Sequence, residues 1–317
     1  MVDLLTYIYH ILNPSTSGLS LGVILLLAFI LGILHGITPD EHTWPITFSY
    51  SVGSYSTKGG MKAGFTFSLG FIIQRSVLTT LGFLGLAEIY KTYNLDGPVY
   101  IIVGLAMFFA GAQILRGKYI HIPIDRLFGG RTHHSSESER KPLHELEEEF
   151  KPVSLKLAIF HGFIAGWGLG AYASIIVFIL APQVGSIFYA PLVGCFFGLG
   201  TMAMQIIIGA VFANFMKVKK LTIEEIKYVG KSTAGHSLYY GGLAFAVIGF
   251  LVIFFPFISN FAISTGIPIP NLDSLGSALL LTLIVVGGIG LGSMYKAIKV
   301  VTNYSKSNSD STAKNIQ

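Results

Sequence analysis

The sequence predicts an all-α, polytopic membrane protein of about seven transmembrane helices, and three observations lead there. The 317 residues are 52% hydrophobic and only 12% charged, with a mean hydropathy of +0.66, a balance suited to a chain solvated largely by lipid. Charge-poor windows of about 20 residues, the length that crosses the hydrocarbon core, recur along the chain. They fall near 18–36 (continuing brokenly to about 52), 63–87, 97–115, 156–181, 187–213, 236–259 and 274–295. Lysine and arginine then alternate by loop. Two lie in 55–62, seven in 116–151, one at Lys156, five in 217–231 and four after 295, together 19 of the 21 basic residues. Alternation of this kind orients a polytopic chain in the cytoplasmic membrane, here with the N-terminus outside and the C-terminus in the cytoplasm. Lys91 falls on the opposite side and Arg75 inside a span. The net charge of +5 follows from the same rule and calls for no nucleic-acid partner.

The ends and the cysteine count narrow this further. Residues 1–17 carry Asp3, have no basic leader and no small-residue cleavage site, and read as an interfacial segment stopped by Asn13-Pro14. Residues 302–317, rich in Ser, Asn and Lys, predict a disordered tail. With Cys195 the only cysteine, an intramolecular disulfide, a Cys-x-x-Cys redox pair and a thiolate metal cluster are excluded.

Two halves resemble each other. Ile33-Leu34-His35-Gly36 is echoed by Ile159-Phe160-His161-Gly162, and Phe67-Ser68-Leu69-Gly70 with Gln74 is echoed by Phe197-Gly198-Leu199-Gly200 with Gln205. Three crossings separate the copies, so the second is inserted upside down, an arrangement that puts a site at the midplane between repeats. The halves are expected at 18–117 and 153–260, joined by a His- and acid-rich cytoplasmic loop at 118–152 and followed by an additional C-terminal helix at 261–301. On this register His35 and His161 face each other.

The densest chemistry is His35-Gly-Ile-Thr-Pro-Asp-Glu-His42, following an uncharged run long enough to span. An acid at membrane depth costs about 2.5–3.5 kcal/mol on insertion scales, so Asp40 and Glu41 call for a compensating cation. Pro39 and Pro45 each lack an N–H and crowd the carbonyl four residues back, at His35 and Glu41, so the helix is expected to open and release backbone oxygens. His35 and His42 share a helix face, Glu41 flanks it, and Asp40 needs the Pro39 turn to join them. Imidazole and carboxylate suit a divalent transition metal, and the absence of thiolates speaks against copper(I). The same residues also fit a helix cap followed by a wet loop.

Other polar groups are weighed beside these. His161 is a second-half ligand or a histidine in a tight helix interface, given the small residues that follow it. Arg75 pairs with Asp40 or Glu41, or binds an anionic substrate, and with Gln74 and Gln205 it is placed along the substrate pathway. His236 reads as an interfacial histidine. His121, His133, His134 and His144, with Glu145, Glu147, Glu148 and Glu149, read as a solvated linker or a metal-collecting mouth.

His35-x4-Asp40-Glu41-His42 resembles the signature of the nickel/cobalt transporter family, His-x4-Asp-His in an early transmembrane helix, with one residue inserted. Phe65-Thr66-Phe67-Ser68-Leu69-Gly70 is similar to the family's following segment, except that Phe71 or Arg75 stands where a histidine is expected. By pattern, residues 20–260 resemble the wider lysine-exporter superfamily of three-plus-three inverted repeats; its thiol-carrier branch needs paired intramembrane cysteines that this chain lacks. The resemblance implies His35, Asp40 and His42 as metal ligands and nickel or cobalt as cargo.

The sequence is therefore expected to encode a secondary transporter of divalent transition-metal ions with a site at His35, Asp40, Glu41 and His42, completed by His161, in a non-enzymatic protein without a prosthetic group. Its partners are the metal ion and the bilayer, with self-association into a homo-oligomer left open. An exporter of a small anion or amino-acid-like solute through Arg75, and an intramembrane metal-dependent hydrolase using the same ligands, remain alternatives.

Overall fold

A computed structural model describes residues 19–116, 154–214 and 221–314, apart from 259, 268 and 271, with side chains as far as residue 303 except that of Lys91. The expected interfacial segment 1–17 and the whole loop 118–152, with its four histidines, lie outside the described residues.

The described chain is mostly helical. Among the described residues four helices are long and apolar enough to cross a membrane: α5 (Asp96–Arg116), α8 (Ala190–Asn214), α9 (Ile223–Phe254) and the C-terminal helix over Ser277–Asn303. The last begins as α10 (Ser277–Thr282), widens into a π-helical stretch at Leu283–Leu291 and continues as α11 (Gly292–Lys314). It thus runs helically beyond residue 302, where sequence composition predicts disorder: no Gly or Pro interrupts Ser293–Lys314, and propensity alone permits the extension. Large apolar side chains such as Leu26, Ile73, Phe109, Ile207 and Phe250 stand exposed, as on a lipid-facing surface.

Local sequence sets the other boundaries. α1 (Leu21–Ile37) stops at Thr38 because Pro39 has no N–H to continue the ladder; Thr38 Oγ1 closes the end by donating to Leu34 O at 2.9 Å. α2 (Trp44–Val52) starts immediately beyond the break with Pro45 in its first turn. Pro45 therefore opens a helix instead of breaking one, since a missing N–H costs nothing at that position. α3 (Thr57–Phe83) is capped by the Ser56 hydroxyl, which accepts from Gly59 N–H at 3.0 Å. After the short α4 (Glu88–Thr92) and α5, the second half opens with α6 (Leu155–Ala165), interrupted at Gly166–Gly170 before α7 (Ala171–Ser174), which runs on as π and 3-10 turns to Gln183. α9 begins at a capping box in which Thr222 and Glu225 satisfy each other's backbone N–H groups. A short antiparallel hairpin, β1 (Ala262–Ser264) with β2 (Ser274–Gly276), joins α9 to α10.

The principal packing pairs are α3 with α8, α5 with α9, α1 with α8 and α3 with α6. Glycine makes these crossings backbone-close. A β-carbon on Gly32 would overlap the Phe197 carbonyl, and one on Gly162 would overlap the Phe67 carbonyl; Gly200 abuts Phe29 O as Gly70 abuts Ile159 O. Each contact in one half has its counterpart 130 positions away in the other, Gly162 against Gly32 and Phe197 against Phe67. In the α5–α9 crossing Gly104 meets the Gly242 carbonyl and Gly242 meets the Gly104 carbonyl, with Gly97 and Gly249 reciprocal in the same way.

Candidate functional site

The break between α1 and α2 carries the buried groups His35, Asp40, Glu41 and His42. Three features of the sequence hold it in shape. Asp40 Oδ1 accepts the His42 backbone N–H at 2.9 Å, a local turn open to Asp, whose side chain mimics a backbone acceptor. Trp44 N–H returns to the Asp40 carbonyl at 3.0 Å, closing the turn that starts α2. The Gly36 carbonyl, left without a helical partner, accepts from Gln205 Nε2 at 3.2 Å and from Trp44 Nε1 at 3.4 Å. One freed backbone oxygen is therefore taken up by the protein itself.

The four side chains form two imidazole–carboxylate pairs. His35 Nδ1 lies 3.7 Å from Asp40 Oδ2, and His42 Nε2 lies 3.0 Å from Glu41 Oε1. Glu41 Oε1 also accepts from Tyr100 Oη at 3.2 Å, while the Tyr100 ring stacks on His42 with centroids 5.5 Å apart. The His35 ring is stacked by Phe71 at 5.6 Å and Phe197 at 5.2 Å, with Tyr172 at its edge. In both imidazoles the second nitrogen, Nε2 of His35 and Nδ1 of His42, is buried without a hydrogen-bond partner. Among the described residues no three of His, Cys, Asp and Glu converge as a ready-made metal cage.

The second interruption lies against the first. Gly168 sits where any β-carbon would overlap the His42 imidazole, Gly166 abuts the Gln74 side chain, and a β-carbon on Gly170 would come within 3.8 Å of Asp40 Oδ2. Arg75, fully buried, donates from Nη1 to the Gly168 carbonyl at 3.0 Å and lies over the Phe71 ring at 4.6 Å and the Phe197 ring at 5.7 Å. Among the described residues no carboxylate lies within 4 Å of the guanidinium, so neither Asp40 nor Glu41 is its direct partner. Its Nε and both ends of the neighbouring Gln74 amide are buried without partners.

His161 is placed differently from the sequence expectation. Its Nδ1 shares a 2.7 Å hydrogen bond with Tyr50 Oη of α2, and no described contact joins it to His35. The reciprocal glycine contacts give the reason. Their numbers recur at an offset of 130, at which His35 corresponds to Ala165, not His161, and Asp40 to Gly170. The short His-Gly echo lies one helical turn out of that register.

Sequence reasoning passed over Tyr100, Tyr50 and Trp44, and read Gly168 only as one of the small residues after His161 that allow close helix approach. Tyr100 is four residues after Asp96, and a hydroxyl amid an apolar span was the available signal. The small-residue run shows Gly168 as a packing position, and nothing in it points to the His42 ring. A cavity of about 200 Å³ lined by Pro39, Glu41, Ala171 and the hairpin residues Asp273 and Ser274 adjoins the break, and Tyr172 Oη ties its wall to the Pro270 carbonyl at 3.1 Å. No protein family, curated protein or solved structure matches the chain.

Proposed function

We propose that the chain is a secondary transporter of divalent transition-metal ions, nickel and cobalt first by resemblance, with the cargo taken up at the break between α1 and α2. One observation carries the reading. His42 Nε2 lies at hydrogen-bond distance from Glu41, His35 Nδ1 faces Asp40 at 3.7 Å, and each imidazole keeps its other nitrogen buried and unpartnered. Metal-binding histidines have this arrangement, because a carboxylate on one ring N–H fixes the tautomer and leaves a lone pair on the other nitrogen. His35 Nε2 and His42 Nδ1 are then the ligating atoms, with Asp40 and Glu41 orienting the rings and balancing charge. Donors of nitrogen and oxygen only suit this group of metals.

The halves' reciprocal contacts support a three-plus-three inverted repeat within about seven crossings, with α1–α2 and α6–α7 as its paired interrupted helices. Interrupted segments in corresponding positions mark the binding site of such transporters, and alternating access follows from rocking one half against the other. The loop lysines favour an outside N-terminus and a cytoplasmic C-terminus in the cell membrane. The cavity shared by Glu41 and Asp273 supplies access to the break from the hairpin side.

The test is a metal panel on purified protein reconstituted in liposomes. The parent should bind and move nickel or cobalt, and His35→Ala and His42→Ala should each abolish both. Ligand variants that transport like the parent would overturn the reading. Arg75 supports one second reading: a buried guanidinium with an unpartnered Nε beside the unpartnered Gln74 amide suits a small anion. Anion flux that stops in Arg75→Ala and persists in His35→Ala would put that reading first.

A further inference from the structure

A larger cavity lies away from the broken helices, between α9 and the C-terminal helix, with a volume of about 810 Å³. Ser232, His236 and Lys296 line its polar part, and His236 Nδ1 is held by the Ser232 carbonyl at 2.7 Å. The other part is apolar, walled by Leu243 and Val247, each 48% exposed. We infer that this groove binds one anionic phospholipid, its phosphate at Lys296 and one acyl chain along Leu243 and Val247.

Dimensions and charge fit that occupant. From Tyr228 to Val247 the groove follows α9 for about 28 Å at 1.5 Å per residue. That covers one leaflet with its headgroups, roughly half of the 40–45 Å bilayer. Its basic end is the end of α9 that carries Lys227 and Lys231 and the part of α11 that carries Lys296 and Lys299, where a headgroup layer places phosphates. The apolar walls are outward-facing residues of membrane-length helices, so the accessible occupant is a lipid from the surrounding leaflet.

The groove is kept open by glycine. Gly288 and Gly292 line it, and a β-carbon at either position would meet nothing within 4 Å. The residues absent there leave room that a side chain would occupy, without collision against the protein. Gly287 also faces open space but does not line the groove, which makes it a matched control. This site rests on none of the transport chemistry above.

The experiment is native mass spectrometry of the full chain, titrated with phosphatidylglycerol or phosphatidylcholine. The parent and Gly287→Leu should retain one phosphatidylglycerol in preference to phosphatidylcholine, and Gly292→Leu and Gly288→Leu should lose it. Lys296→Gln should weaken phosphatidylglycerol about five-fold, the equivalent of about 1 kcal/mol per interfacial lysine, and leave phosphatidylcholine unchanged. Equal retention of the two lipids by the parent overturns the inference. So does unchanged phosphatidylglycerol retention in both glycine variants, or in Lys296→Gln.

Discussion

Gly168 lies against the His42 ring at a distance no β-carbon could share, and its carbonyl accepts the Arg75 guanidinium. A residue without a side chain thus fixes both the imidazole of one half and the buried cation of the same half from across the interface. Gly168→Ala should push His42 off Glu41 without removing any donor. Metal affinity should fall by about 10–100-fold, the range for displaced supporting contacts, while the chain still folds. Isothermal titration with nickel and cobalt measures it, and parental affinity in this variant would show that the ring is not held from that side.

The carboxylates are expected to behave as orienting groups. Glu41→Gln and Asp40→Asn keep shape and remove charge, so each should weaken metal by about 10–100-fold, whereas His35→Ala and His42→Ala should leave no specific binding. Tyr100→Phe, which removes the second hydrogen bond on Glu41, should have a smaller effect in the same direction. An Asp40→Asn loss as complete as that of His35→Ala would make the acid a direct ligand.

Proton competition gives the pH dependence its sign. Metal requires the lone pair on each imidazole, so binding displaces protons and affinity should rise with pH and fall as the solution is acidified. Dissociation constants measured from pH about 5.5 to about 7.5, around the ordinary histidine value of about 6.5, test it. A flat profile would mean that the histidines do not touch the ion.

Arg75 should be structural on the metal reading. Arg75→Lys preserves charge but loses the planar guanidinium that lies over Phe71 and Phe197 and reaches the Gly168 carbonyl. The lost charge-assisted hydrogen bond predicts a destabilisation of about 1.5–3 kcal/mol, visible as a lowered unfolding midpoint in detergent. Metal affinity per folded molecule should be retained.

Much of this architecture was legible in the sequence because lipid imposes coarse rules. Apolar length, the proline after Thr38 and the small residues at crossings each have one physical reading, and the membrane-length helices and the first break follow from them. The second break was harder to see, since Gly166–Gly170 opens a helix by weak propensity and has no proline to announce it. Pro45 misled for the opposite reason: a proline is equally at home in a first turn, and only the fold tells which. His161 misled because the His-Gly echo is two letters long, while the register is set by backbone contacts at Gly32, Gly162, Phe67 and Phe197. The tyrosine partners of Glu41 and His161 arrive from distant segments, and no spacing along the chain encodes such a meeting.

The α5–α9 crossing limits how this molecule can move. Gly97, Gly104 and Gly111 recur every seventh residue on one helix, as Gly235, Gly242 and Gly249 do on the other; Gly97 with Gly249 and Gly104 with Gly242 make reciprocal backbone contacts in antiparallel order, and Gly111 lies against the Gly235 carbonyl. A slide of one residue along this seam would drive side chains into main chain at several points simultaneously. The pair therefore works as a strut with one permitted alignment. On the proposed transport function, displacement has to be absorbed elsewhere, and the two interrupted helices, already free of continuous hydrogen-bond ladders, are where the chain yields at least cost.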